Sequence, residues 1–342
     1  MKAARLFNKR DVRTVDSPDP EPQPDEVRLR VQAVSICPGD LKLYEEFQTG
    51  GVTPDVPIIP GHEFAGIIER LGENVRGLQV GQRVAVEPSW HCGKCDLCRL
   101  GYHNICRHIV FPSFPPRDGA VAELICCPAF SVCPLPDSVS FVEAALIEPL
   151  GVAIHAVRLA QLQPDDRIAV LGAGVIGLCV MQVARAYGVR DVILAEPRAA
   201  RRPLAEQLGA RLVAPAAADL AAHLTDPSEE PRVVFEASGG AGAIQEATEL
   251  CRPAGTVIVI GIPHDDEVRF HATPPRRKEL TVVFSRRSRD TLKEAVELVA
   301  SGRVNLACMP YLGFPLAQAA EAFVQAVARP GNALRSVVFP QT

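Results

Sequence analysis

Ile168-Ala-Val-Leu-Gly172-Ala-Gly174-Val-Ile-Gly177-Leu-Cys-Val-Met181 is the stretch that decides the fold. Four apolar residues at strand length run into three glycines at G-x-G-x-x-G spacing and then into a helical apolar pattern. Backbone N–H groups in such a turn approach a pyrophosphate closely, and the dipole of the following helix favours its charge. Gly172, Gly174, Val175, Ile176 and Gly177 are therefore candidate nucleotide-binding residues. Outward from this turn, apolar runs at Ile168 to Leu171, Asp191 to Ala195, Val233 to Glu236 and Thr256 to Ile260 alternate with amphipathic helical segments. That rhythm predicts a parallel sheet covered by helices on both faces. Glu196 closes the second run, nineteen residues beyond Gly177. A carboxylate there accepts from the ribose hydroxyls of the adenosine half and repels a 2′-phosphate, which favours NAD over NADP; Arg198, Arg201 and Arg202 nearby pull the other way.

The uncharged run Ile168 to Ala184 is seventeen residues with three glycines, too short and too punctuated to read as a membrane span. The first 130 or so residues are of another kind: short runs at Val27 to Val31, Ala65 to Arg70, Arg83 to Glu87 and Ala120 to Ile125 are separated by Gly and Pro, the pattern of a β-rich region. With 342 residues, two domains are expected. A net charge of -4 gives no footprint for nucleic acid. The N-terminus lacks the apolar core of a signal peptide and the eleven cysteines are an odd number, which points to a reducing cytoplasm.

Four of those cysteines, Cys92, Cys95, Cys98 and Cys106, fall within fifteen residues at spacings that let one loop wrap a tetrahedral ion. With four thiolates the shell is closed, so this metal braces a lobe and catalysis lies elsewhere. Cys37, His62, Glu63 and Glu148 are scattered along the chain, as ligands of a catalytic zinc are when the fold gathers them from loops. Taken singly, the cysteine reads as core and each glutamate as surface.

Together Cys37, Gly61-His62-Glu63, the four-cysteine lobe, Asp118-Gly119-Ala-Val-Ala-Glu123, Glu148-Pro149-Leu150 and the glycine turn resemble the zinc-dependent medium-chain dehydrogenases, within them the sorbitol (polyol) and threonine dehydrogenase branch. The resemblance implies an α/β protein with a GroES-like β-barrel catalytic domain over 1–151 and 288–342, its zinc lobe near 88–110, and an inserted Rossmann domain over 152–287. It implies Cys37, His62 and Glu63 as catalytic zinc ligands, with Glu148 binding that zinc directly or through water. Gly172, Gly174 and Gly177 match the pyrophosphate turn, Glu196 the ribose acid, Arg201 the arginine flanking the adenine, and Arg287, on spacing alone, an arginine that contacts a polyol.

Two zinc ions and NAD would then serve a secondary alcohol, a polyol or cyclitol, oxidised to a ketone: a zinc keeping one open position binds the hydroxyl and lowers its acidity barrier, and hydride passes to the nicotinamide. Threonine, amino alcohols or vicinal diols are alternative substrates, and a nucleotide-binding homologue with little turnover is a third reading. The resemblance also implies a homodimer or homotetramer joined through Rossmann edge strands, with Thr256 to Ile262 the candidate edge. One departure stands out. The family usually carries a Ser or Thr hydroxyl two residues after the zinc cysteine and often a His two residues past the Asp that follows; here Gly39 and Lys42 occupy those places. Glu148 through a water, Tyr44 or Lys42 could carry the proton instead, the enzyme could be slow, or the substrate could supply its own hydroxyl.

Overall fold

In a computed structural model, residues 1–48, 51–263 and 267–342 are described. They form two compact units, one of residues 1–148 with 292–342 and the other of residues 149–291.

The first unit is built on β-strands β1 (Lys2–Asn8), β2 (Asp11–Asp16), β3 (Glu26–Ser35), β4 (Glu63–Leu71), β5 (Arg83–Val86), β6 (Leu124–Pro128) and β7 (Val132–Pro134). Strand β6 starts later than the apolar run beginning at Ala120 suggests: Gly119, Ala120 and Val121 instead donate their N–H groups to Ile59, Gly61 and Pro60, which ties this segment to the loop before β4. The antiparallel pairing of β3 with β4 ends on the opposed residues Ser35 and Glu63. Alternation along β3 buries Val27, Leu29 and Val31 against Phe64, Ile68 and Val84 in one apolar core. Burial of this kind contributes about 25 cal/mol per Å² of apolar surface and is what holds the sheet's register, since a one-residue slip would turn each core residue outward.

The second unit carries β8 (Arg167–Leu171), β9 (Asp191–Ala195), β10 (Leu212–Ala214), β11 (Val233–Glu236), β12 (Thr256–Val259) and β13 (Thr281–Phe284). All five pairings are parallel, in the order β10-β9-β8-β11-β12-β13. This is the doubly wound order that reverses between its first strand and its fourth, and ligands bind beyond the strand ends at such a reversal. The expected edge at Thr256 to Ile262 is corrected: β12 lies between β11 and β13, and the outer strand is β13. An apolar run marks a buried strand but carries no information on its neighbours, so an interior strand reads the same as an edge packed on a partner.

The chain then returns to the first unit, where β14 (Tyr311–Pro315) and β15 (Arg335–Phe339) extend its sheet, β15 lying against β3 with Val337 opposite Ser35. No helix among the described residues is long and apolar enough to cross a membrane. The run Ile168 to Ala184 divides into β8 and the first part of a helix, Val175–Ala186.

Candidate metal and nucleotide sites

Among the described residues, two groups of metal-ligand side chains converge, Cys92 with Cys95, Cys98 and Cys106, and Cys37 with His62 and Glu63; within each, the donor atoms lie within 4.8 Å of one another. In the lobe the Sγ atoms of Cys92 and Cys106 are 3.5 Å apart and those of Cys95 and Cys106 3.8 Å. Those separations are far beyond a disulfide and match the ~3.8 Å edge of a tetrahedron drawn with Zn–S bonds of about 2.3 Å. Backbone N–H groups already point at the sulfurs: Cys92 N and His108 N lie 3.4 Å and 3.3 Å from Cys106 Sγ. Hydrogen bonds from the Cys98 and Arg107 amides lower Cys95 to about 6, whereas burial and the neighbouring Cys95 and Cys106 thiols push Cys98 up to about 12. The site fits a structural zinc. Beside it, Trp90 is buried with the Arg117 guanidinium 4.9 Å from its ring centre.

The second group is assembled differently. Cys37 stands at the entry to helix Pro38–Glu46, His62 in the approach to β4, and Glu63 is the first residue of β4. The buried Asp40 carboxylate ties them together: it accepts from Cys37 N at 3.1 Å, from Gly61 N at 3.1 Å and from Ser113 Oγ at 2.6 Å, and lies 3.2 Å from His62 Nδ1. A carboxylate on Nδ1 leaves Nε2 as the metal-facing nitrogen and raises its basicity. Gly61 is required here, because its φ is +96° and a Cβ would lie 2.7 Å from Val121 and 2.8 Å from Val34. Glu63, fully buried, accepts a short hydrogen bond from Ser35 Oγ and a fork from Arg335, whose Nε and Nη2 lie 3.2 Å and 3.1 Å from its two oxygens. Burial and the Glu63 carboxylate push the half-buried Cys37 thiol up to about 11. Burial would lower the His62 imidazole, but Asp40 and Cys37 outweigh it and hold it well above the ordinary value. A sulfur, an imidazole nitrogen and a carboxylate gathered at one point form a donor set suited to zinc, with one position left open.

Glu148, near the start of helix Ile147–Ala160, lies outside that three-residue cluster but within electrostatic reach of it. Its burial pushes the carboxyl up to about 8; His62 and Arg335 oppose that shift, and Glu63 and Glu87 add to it. Gly39 faces the cluster with no side chain, and a Cβ built there would sit 3.8 Å from His62 and 3.9 Å from Cys37, in ordinary contact. Lys42 is half-buried, and Tyr44 is buried with its ring 5.1 Å from that of Phe323. Phe111 packs on the imidazole of His62 at 5.0 Å.

In the second unit the glycine turn follows β8. A Cβ on Gly177 would come within 1.9 Å of the Gly172 carbonyl oxygen, so the helix can sit on the strand only with glycine at that point. Above Gly174 there is open room, with nothing within 4 Å of a Cβ position, at the N-terminus of a twelve-residue helix. Glu196 is buried and accepts from Ala173 N at 2.7 Å and Arg198 N at 2.8 Å, which fixes its carboxylate beside the turn. Glu236, at the end of β11, was not anticipated; it accepts from Ser238 and Gly239 and shapes the loop that faces Gly172. Arg201 is buried. Arg287 has a left-handed φ of 54° and belongs to the unit of residues 149–291, whereas the Cys37 cluster belongs to the other. His155 lies in the middle of helix Ile147–Ala160 and is buried. Of the six cysteines outside the two groups, Cys126, Cys127, Cys179 and Cys251 are buried, while Cys133 and Cys308 are half-buried.

Asp40, Ser35, Ser113 and Arg335 are the residues that the sequence did not mark. No local pattern marks them: the alternation of β3 breaks at a register shift between Val31 and Ala33, and Ala33, Val34 and Ser35 are buried in succession.

Comparison with known proteins agrees with the fold of the two units. Residues 23–137 match the alcohol dehydrogenase GroES-like domain and residues 175–301 the zinc-binding dehydrogenase domain. Sorbitol dehydrogenase of Bacillus subtilis (strain 168) is 33% identical over 99% of this chain and 97% of its own. The crystal structure of a zinc-binding dehydrogenase from Sinorhizobium meliloti 1021 bound to NADP superposes with a TM-score of 0.89 at 30% identity, over 99% of both chains. That of 2R,3R-butanediol dehydrogenase from Bacillus subtilis gives 0.87 at 28% identity, again over 99% of both. A GroES-like unit and a Rossmann unit, each with its zinc- or nucleotide-binding signature, define a zinc-dependent alcohol dehydrogenase. The chain belongs to the zinc-dependent medium-chain dehydrogenase family, in its sorbitol dehydrogenase-like branch, and is an oxidoreductase acting on CH–OH groups.

Proposed function

We propose that the protein is an NAD-linked polyol dehydrogenase that oxidises a secondary hydroxyl to a ketone, with Cys37, His62 and Glu63 as the catalytic metal ligands. The observation that carries this reading is the convergence of those three donors from two separate segments, with His62 held by the buried Asp40 and Glu63 by Arg335. In this reading two zinc ions are bound, the lobe cysteines holding the structural one. An ion held by Cys37, His62 and Glu63 would supply Lewis acidity at the carbinol oxygen, and bound NAD would supply the hydride acceptor.

The chain's own residues do the rest. Asp40 orients His62, and Phe111 covers the imidazole face and limits water. Glu148 is buried beside the cluster, where burial raises its carboxyl and a bound cation would favour its ionised form instead. Gly39 leaves the adjoining space to the substrate. A polyol can place a neighbouring hydroxyl there and pass its carbinol proton outward through it, so vicinal diols should outrun simple alcohols. Sorbitol dehydrogenase and butanediol dehydrogenase among the relatives support that substrate class.

Residues 1–151 and 288–342 would form the catalytic part and 152–287 the nucleotide-binding part. Glu196 supports NAD, since its buried carboxylate would repel a 2′-phosphate; a relative binds NADP, so both cofactors need assay. Arg201 is assigned to the adenine side and Arg287 to the substrate. The reduced cysteines support a cytoplasmic enzyme, and the outer strand β13 supports a homodimer or homotetramer. The test is reduction of NAD and of NADP by zinc-quantified protein across polyols, cyclitols, amino alcohols, threonine and secondary mono-alcohols. Turnover confined to polyhydroxy substrates and lost in Cys37→Ser supports the reading; turnover on mono-alcohols alone, or none with NAD bound, overturns it.

A further inference from the structure

We propose that Ser35 is a positioning residue for the catalytic metal: with Arg335 it forms a three-donor clamp that fixes the Glu63 carboxylate in one orientation before a metal arrives. The inference rests on the reading that Cys37, His62 and Glu63 hold that metal, and goes beyond it in assigning a role to a residue outside the ligand set.

The clamp follows from strand register. Ser35 and Glu63 are directly opposed across β3 and β4, and side chains of opposed residues share one face of a sheet. Val337 of β15 opposes Ser35 from the other side of β3, so Arg335, two residues along, emerges on the same face. Three adjacent strands thus deliver the hydroxyl, the carboxylate and the guanidinium to one spot. Ser35 and Glu63 are fully buried and the Arg335 side chain is only 9% exposed.

Each Glu63 oxygen is held: Oε1 by Arg335 Nη2, Oε2 by Arg335 Nε and by Ser35. A planar fork fixes the plane of the carboxylate, and the hydroxyl takes a second lone pair of Oε2. The lone pair left on Oε1 is then the one available to a cation shared with Cys37 and His62. A buried carboxylate beside a cysteine would be costly without a partner; Arg335 supplies the compensating charge and Ser35 the direction. Outer partners of metal ligands typically change affinity by about 10 to 100-fold when removed.

The experiment is Ser35→Ala, with Ser35→Thr as the conservative rescue. Zinc affinity is measured by competition with a chromophoric chelator, and the exchangeable ion is then replaced by Co(II) and its d–d absorption recorded. The lobe zinc in the same chain is the internal control. The expected result for Ser35→Ala is weaker binding of the exchangeable ion by about tenfold or more and an altered Co(II) spectrum, with lobe zinc retained and both properties restored in Ser35→Thr. An unchanged affinity and spectrum in a folded Ser35→Ala protein overturns the clamp. So does loss of both metals together with a lowered melting temperature that Ser35→Thr fails to restore, because that pattern belongs to sheet packing. If the wild-type protein binds only the lobe ion, the metal reading of Cys37, His62 and Glu63 fails first, and the two failures are told apart by the wild-type stoichiometry.

Discussion

The four-cysteine lobe and the Cys37 cluster solve one problem in opposite ways. The lobe takes all its ligands from fifteen consecutive residues, supports the sulfurs with backbone N–H groups, and leaves Cys92 and Cys95 half-exposed. The Cys37 cluster takes its ligands from a helix entry and a strand, buries His62 and Glu63, and supports each with a side chain from elsewhere. A closed shell needs only the right spacing. An open one must be held rigid by its surroundings, because the missing fourth ligand can no longer do so.

That contrast breaks most directly on single substitutions. Cys37→Ser should lower kcat/KM by about 10³-fold or more, the equivalent of ~4 kcal/mol of lost charge stabilisation, while leaving the urea midpoint and the lobe zinc unchanged. Cys95→Ser should behave in reverse: zinc content drops by the lobe ion and proteolysis opens the chain between residues 92 and 106 before activity in the remaining folded protein is affected. If both variants lose both ions, the two sites are not independent.

Chelation should separate them next. At neutral pH a chelator should strip one zinc together with activity, and the second should leave only when denaturant is added, since four thiolates leave no position for an attacking ligand. Metal analysis against time checks this; a single exponential releasing both ions would sink it.

The Gly39 position gives a smaller but sharper effect. Gly39→Ser places a hydroxyl beside His62 and Cys37 without a clash. It should raise the rate on 2-butanol relative to 2,3-butanediol by about tenfold or more, as the mono-alcohol gains a route for its proton. An unchanged ratio would show that the proton leaves by another path.

The smallest effect lies away from both metals. Burial, with Arg289 and Arg158 adding, lowers His155 to about 4 from an ordinary 6.5. The unfolded chain therefore takes up this proton first as pH falls, so stability present above pH 6.5 is lost progressively towards pH 4, by up to ~3 kcal/mol. His155→Phe should flatten that slope in urea unfolding at pH 7 and pH 5; an identical slope would exclude His155 as its source.

What was legible in the chain divides along the same line. The lobe and the glycine turn declare themselves because their geometry is carried by neighbours in sequence: the x2 and x7 spacings, and a Gly177 that nothing larger could replace. The Cys37 cluster was visible only through resemblance, and its supports not at all. Ser35 is 28 residues from Glu63 and Arg335 is 272, distances over which no local pattern carries information. Sheet order was hidden for the same reason, which is how the interior strand β12 came to be read as an edge. Arg201 and His155 show the limit for single polar residues: their burial is decided by packing that composition does not reveal.

The place of β15 also sets a schedule. The guanidinium that compensates Glu63 comes from a strand near residue 335, while the carboxylate it meets is made among the first seventy residues. Until translation has run through Phe339, the Val34–Ser35 end of β3 lacks the strand that pairs with it and Glu63 lacks its counter-charge, although the lobe cysteines were finished more than two hundred residues earlier. With both sites loaded as proposed, the bracing ion would be captured early on the ribosome, whereas the working ion would find a finished pocket only at the close of synthesis, so a chain cut short should carry one metal and no activity.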